Sequence, residues 1–262
     1  MDKTVSLTID VESDWGGRAK SSEGIRNCIP EILRLLDDFN IKTTFFLSGV
    51  TIGENREALW DIVDAGHEIA SHGYLHEDHS KMSKDELSLE IAKSKDVIKD
   101  EFGVEVVGFR APQGRTNKYL FDVLAELNFK YDSSLIRSII PGRYANLRVP
   151  SEPYQLKNGL LEIPISCLPY LRIPFGLLWI NTIGFVGFKL FLNGVKLPNH
   201  ITIFLHPFDL LQSKSRSREF GFFVNQWYNY KQQGVSKTLK SLTKYYIDKK
   251  RKFILLKEVV SF

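Results

Sequence analysis

The chain has 262 residues, enough for one large domain or two small ones. With 43% hydrophobic and 25% charged residues, its composition is that of a globular protein. A net charge of +4 is too slight to imply a polyanionic partner, and no nucleic-acid partner is expected.

The positive excess is uneven. Lys214 to Lys252 carries eleven Lys and Arg against Glu219 and Asp248. That stretch reads as the solvated face of a C-terminal helix, with an anionic surface such as lipid headgroups as the alternative. Cys28 and Cys167 lie far apart, so neither a zinc–thiolate site nor a disulfide framework is indicated. The N-terminal residues enter a strand pattern at once and no secretory leader is read, which makes a cytoplasmic protein the expectation. Ile173 to Phe188 holds no charged residue. It is shorter than the roughly 20 residues of a membrane span and is interrupted by Pro174, Gly176, Asn181, Gly184 and Gly187. A buried or cleft-lining segment is expected, with peripheral membrane contact as the alternative.

Strand and helix patterns alternate along the chain. Val5 to Asp10 alternates apolar and hydroxyl residues and predicts a strand; Ile25 to Phe39 has helical periodicity. Thr43 to Leu47 predicts a strand, Asn55 to Ala65 a helix stopped by Gly66, and His67 to Ala70 a short strand. Ser83 with Glu86 forms a capping box that opens a helix to about Phe102, before Gly103. Val106 to Phe109, Leu160 to Ile165, Ile201 to Leu205 and Phe253 to Leu256 predict strands; Lys118 to Leu127 and Phe222 to Tyr246 predict helices. Residues 136 to 160 form a loop-rich excursion. Such alternation predicts a parallel α/β sheet or barrel, and no repeat or linker divides it, so one domain over residues 1–262 is expected, its basic, largely helical C-terminal segment beginning near residue 213.

Four segments carry residues suited to chemistry, each just past a predicted strand. Asp10 and Glu12 are two apart, so a strand would project both to one side. Two carboxylates held together call for a cation or a shared proton. His72 and His76 are four apart, a spacing that brings two imidazoles to one side of a helical turn, and neutral imidazole is the commonest protein ligand for zinc. His79 is out of phase with the pair and expected to be exposed, and His67 is expected to be structural. Arg110 could hold a carboxylate such as Asp10, and the Pro112–Gly114 turn could present the Gln113 N–H to an oxyanion. His206 ends an apolar strand and suits a general acid, although a structural histidine is the plainer reading of that residue alone.

Taken in order, these segments resemble the NodB-homology polysaccharide deacetylases, carbohydrate esterase family 4. Thr8-Ile9-Asp10-Val11-Glu12 is similar to the family's acidic motif, His72-Gly73-Tyr74-Leu75-His76 to its H-x-x-x-H motif, and Arg110-Ala111-Pro112-Gln113-Gly114 to R-x-P-x-G. Tyr131-Asp132-Ser133-Ser134, Glu162-Ile163-Pro164-Ile165 and His206-Pro207 complete the set. The resemblance implies a distorted (β/α) barrel and a metal-dependent N-deacetylase acting on an N-acetylated amino-sugar glycan. It implies Asp10 as general base, His206 as general acid and Arg110 as the tether of Asp10. Glu12, His72 and His76 would hold a divalent metal, zinc by expectation. Gln113 would supply an oxyanion N–H, and Ser133 and Leu205 would line the acetyl pocket. The family's commoner acidic motif has two adjacent aspartates; here Val11 stands between the acids, as in an Asp-x-Glu branch, so Glu12 is taken as third ligand with Asp14 as the substitute. That departure leaves a lipid-linked amino sugar or a cyclic amide as alternative substrates, and a non-catalytic carbohydrate-binding role as the reading from another class. The oligomeric state is not legible.

Overall fold

The computed structural model describes residues 3–16, 21–140, 144–211 and 234–261. The first strand, β1 (Thr4–Val11), is buried along its whole length. Val5, Leu7, Ile9 and Val11 belong to the large core between strands and helices. The alternate residues face the enclosed side, where the Ser6 hydroxyl donates to the Ile254 carbonyl (2.8 Å) and the Thr8 hydroxyl to that of Ile203 (2.9 Å).

The chain then winds as α1 (Glu23–Asp38), β2 (Thr44–Leu47), α2 (Arg56–Asp64), β3 (Glu68–Ser71), α3 (Lys84–Phe102), β4 (Gly108–Phe109), α4 (Leu120–Glu126) and β5 (Tyr131–Asp132). A hairpin of β6 (Ile139–Ile140) and β7 (Tyr144–Ala145) follows, then β8 (Tyr154–Gln155) and β9 (Leu161–Glu162). Two short helices, α5 (Leu177–Ile183) and α6 (Phe185–Asn193), precede β10 (His200–Leu205). The last described elements are α7 (Val235–Asp248), β11 (Lys252–Phe253) and α8 (Leu256–Val259).

The strands lie in the order β10-β1-β2-β3-β4-β5-β9-β8, with β11 also on β1. All of these pairings are parallel except β8 with β9. Between β9 and β10 the ring continues through Ser166, whose N–H donates to the Thr202 carbonyl and whose hydroxyl accepts from the Thr202 N–H, both at 3.0 Å. The result is a distorted (β/α) barrel, its pairing reduced to two residues at β4 and β5. A second, smaller core of Phe46, Ala70, Tyr131, Ile163, Ile254, Leu256 and Val259 fills the inside. There α8 is pinned by Glu68, whose buried carboxylate accepts from Thr44 Oγ1 (2.6 Å), Tyr131 OH (2.9 Å) and the Lys257 N–H (3.1 Å).

The capping box at Ser83 and Glu86 forms as expected, and Gly103 ends α3 in the left-handed conformation. Elsewhere the boundaries move. Lys118 and Leu127 fall outside α4, and Leu256 opens α8 rather than closing a strand. The apolar run at 173–188 becomes two helices parted at Gly184, where φ is 84°. No helix among the described residues is long and apolar enough to cross a membrane. The helix expected over 222–246 is described only from Val235, its earlier part lying outside the described residues.

Candidate metal and catalytic site

The C-terminal ends of β1, β3, β4 and β10 meet around a cavity of about 420 Å³ whose wall includes Asp10, Glu12, His72, Arg110, Gln113 and His206. Parallel strands with short loops after them bring such rim positions together. Glu12, His72 and His76 each offer an atom within 4.8 Å of the others. The histidines do not lie on a helix. Residues 72–78 form a loop in which Gly73 and His76 take positive φ, 76° and 58°, and the turn rather than a helical repeat brings the rings to 5.1 Å.

His72 Nδ1 lies 2.8 Å from the Arg110 carbonyl. A carbonyl only accepts, so Nδ1 carries the proton and Nε2 presents a lone pair. That lone pair lies 3.3 Å from Glu12 Oε2, itself an acceptor. His76 Nε2 makes an ion-pair contact with the same oxygen and has no hydrogen-bond partner. Two acceptors facing each other in a buried site are repulsive without a cation between them, and two imidazoles with one carboxylate form an open set of the kind zinc enzymes use. The residues therefore fit a divalent metal. Burial opposes ionisation of Glu12, but His76, His72 and His206 outweigh it and hold the carboxyl well below the usual range.

Asp14 is not part of this set, which corrects its place as substitute ligand. Its carboxylate accepts from the Glu23 N–H (2.9 Å), the Gly24 N–H (3.0 Å) and the Ser21 hydroxyl (2.7 Å), so it caps the N-terminus of α1. Gly24 is needed at this contact, because a Cβ there would lie 2.7 Å from Asp14 Oδ1 and 2.8 Å from the Phe208 nitrogen.

Arg110 is fully buried and committed on every side. Nη1 donates to Asp10 Oδ1 (2.6 Å) and Thr8 Oγ1 (2.7 Å), Nε to the Ser133 carbonyl (3.0 Å) and Nη2 to Ser133 Oγ (2.9 Å), while the guanidinium stacks 4.2 Å from the Phe46 ring. Ser133 is thus a brace for Arg110, and its hydroxyl donates to the Ile163 carbonyl (2.8 Å). It stands behind the cavity wall, as does Leu205, which packs in the large core; Ser134 and Phe204 occupy the wall instead. Ser134 accepts from the Ala111 N–H (2.7 Å) and donates to Asp132 (2.6 Å). Asp132 lies against Glu162: burial and the Asp132 charge push Glu162 well above the usual carboxylate range, and burial raises Asp132 as well, so the pair holds a proton. Gln113 has φ 56° and lines the cavity.

His206 closes the other side. Its Nε2 is 3.9 Å from Glu12 Oε1, its Nδ1 3.4 Å from Asp209 Oδ2, and its ring stacks 4.6 Å from Phe208. Burial disfavours its charge, but Asp209, Glu12 and Asp10 prevail and push it up to about 9, keeping the ring an acid at neutral pH. His67 stays outside, accepting from the Thr43 N–H (3.1 Å).

His79, expected at the surface, is fully buried. A 3₁₀ turn at His79–Lys81 tucks its ring against Phe109 (5.9 Å, stacked), with Nε2 3.1 Å from Glu90 on α3. The other Glu90 oxygen accepts from the Tyr74 (2.5 Å) and Leu75 (3.0 Å) N–H groups. Glu90 thereby grips the loop that carries His72 and His76, a role not read from the sequence. The sequence does hold a signal for it: an acid set between the buried helical positions Leu87, Ile91 and Ser94.

Residues 1–131 match the model of a family described as polysaccharide deacetylase. The chain is 34% identical over 110 residues to the peptidoglycan deacetylase of Helicobacter pylori, a match covering 42% of this chain and 38% of that protein. The chain thus matches well under two thirds of that relative's length. Among solved structures, PuuE allantoinase superposes with a TM-score of 0.68 at 17% identity, covering 98% of this chain and 89% of the other. A family 4 acetyl xylan esterase from Clostridium thermocellum, solved with a cobalt ion, superposes with a TM-score of 0.56 at 19% identity, covering 99% and 91%. At these identities the structural matches speak for the fold.

Proposed function

The chain belongs to the polysaccharide deacetylase family, and from that premise we propose that it removes N-acetyl groups from an amino-sugar glycan by metal-dependent hydrolysis. The observation that carries this reading is the convergence of Asp10, Glu12, His72 and His206 around one cavity, with His76 grouped beside Glu12 and His72. Glu12, His72 and His76 would hold the divalent cation, zinc in this proposal. Such an ion, when bound, polarises an amide carbonyl and lowers the pKa of water.

The chain's own groups divide the remaining work. Asp10, with one oxygen held by Arg110, takes the proton of the attacking water. The Gln113 N–H donates to the amide oxygen as negative charge develops there. His206, kept protonated by Asp209, Glu12 and Asp10, gives its proton to the leaving amine. The products are acetate and a free amino sugar.

Acetate release from N-acetylated oligosaccharides and peptidoglycan fragments, with and without chelator, tests the reading; a lipid-linked amino sugar and allantoin serve as further substrates. Asp10→Asn should lower turnover at least about 10³-fold while bound zinc stays stoichiometric. Near-normal turnover in that variant would overturn the assignment, and failure to take up zinc in the parent would favour a carbohydrate-binding role without catalysis.

A further inference from the structure

The polar wall of the cavity is only half of it. The other half is apolar, built by Ile136, Ile140, Ile165, Pro174, Leu177 and Trp179. Trp179 is also 42% exposed, and it begins a run of outward apolar side chains along α5 and α6: Ile183 at 40%, Val186 at 73% and Leu190 at 69%. The spacing Trp179–Ile183 and Val186–Leu190 sets each pair on one helical face. The break between the helices keeps the two faces together, since a Cβ on Gly187 would lie 3.7 Å from Ile183 Cγ2. Tyr170 (90%) and Leu171 (59%) extend the apolar surface before α5.

The chain segments that build this surface carry charge of one sign. Between Glu162 and Asp209 the chain carries Arg172, Lys189 and Lys196 and no acid; among the described residues between Asp132 and Glu152 it carries Arg137 and Arg148 and no acid. Arg137 and Arg172 both donate to the Leu147 carbonyl, at 3.4 and 3.2 Å, which ties the hairpin region to the loop before α5. Lys189 is exposed on α6 between Val186 and Leu190. Apolar side chains standing out from a surface, a half-exposed tryptophan and a lysine among them form the pattern of a helix pair that rests on an anionic bilayer.

We infer that the α5–α6 face docks on the surface of an anionic lipid membrane, with the cavity mouth at Trp179 turned toward the lipid. The docking needs no transmembrane helix and is independent of what the site hydrolyses. Sedimentation of the full chain with vesicles tests it, comparing phosphatidylcholine alone with a 7:3 mixture of phosphatidylcholine and phosphatidylglycerol. The parent should sediment with the mixed vesicles and lose binding as salt is raised. Val186→Ser with Leu190→Ser should weaken binding at least roughly tenfold, and Lys189→Glu roughly fivefold or more, with thermal unfolding and zinc content unchanged. A parent that stays in solution overturns the inference. So does a double variant that binds like the parent, which would place lipid contact in the basic residues elsewhere. A concentration-dependent dimer that the double variant dissolves would also overturn it, by assigning the face to a second copy.

Discussion

Replacing Glu90 with alanine should weaken zinc binding although Glu90 is no part of the ligand set. Its carboxylate holds three groups of the 72–79 segment: the Tyr74 and Leu75 N–H groups and the His79 imidazole. A charge-assisted hydrogen bond to a buried N–H contributes about 1.5–3 kcal/mol. Leu75 is 47% exposed, so water would replace much of that bond, leaving about 2 kcal/mol for Tyr74. The buried His79 loses the polar group facing its Nε2, a loss of about 1–2 kcal/mol. Together the variant should lose about 3–4 kcal/mol of stability. Loosening the loop that carries His72 and His76 should also weaken zinc about 10–100-fold, the range for groups that orient ligands. Glu90→Gln keeps an acceptor for the two N–H groups and should recover most of both losses. Denaturant unfolding of the metal-free protein gives the first quantity and titration calorimetry with zinc the second. Parent-like zinc affinity in a folded Glu90→Ala variant would refute the claim that this residue sets the loop.

Arg110→Lys cannot reproduce the fork that serves Thr8, Asp10 and Ser133, so kcat should fall about 100-fold with little change in KM; a kcat within threefold of the parent would argue against the tether. Asp14→Ala should cost about 1–2 kcal/mol through the lost cap of α1 while zinc affinity stays within about twofold, and a large loss of zinc would return Asp14 to the ligand set. His200, buried beside Arg251, is pushed down to about 4 by burial and by that guanidinium. The unfolded chain takes up this proton more readily than the folded one, so the stability His200 contributes is complete above about pH 6.5 and falls by about 3 kcal/mol as pH drops to 4. His200→Asn should flatten that dependence in unfolding curves, and an unchanged slope would locate the acid sensitivity elsewhere.

The site was legible where a single strand end announces it. Asp10, Arg110 and His206 each follow an apolar run, and parallel strands deliver such positions to one rim whatever the loops do. The partners that fix them were not legible, because they come from distant strands by register alone. Thr8 reaches Arg110 across 102 positions, and no local pattern encodes that meeting. Motif position alone puts Ser133 and Leu205 in the pocket, but Ser133 is spent on Arg110 and Leu205 packs into the core, leaving Ser134 and Phe204 in the wall. From the sequence His79 reads as exposed because it is out of phase with a helix that does not form; the turn at Gly73 and the 3₁₀ turn after Asp78 reset its direction. The capping box of α3 is legible because its determinants, Ser83 and Glu86, are three residues apart and need no tertiary partner.

The place of β1 between β2 and β10 has a consequence for the order of folding. Thr4 faces His200, 196 positions along the chain, whereas Thr8 faces Thr44 on its other side. A growing chain can pair β1 through β5 early, yet one edge of β1 stays open until β10 emerges. Through that interval Val5, Leu7 and Ile9 lie on a strand with one edge unpaired, the strand that bears Asp10 and leads into the candidate site. Pulse-labelled hydrogen exchange during refolding should show the β1–β10 bonds protected after those of β2–β3, so that the two carboxylates acquire their fixed spacing to His206 only in the closing step.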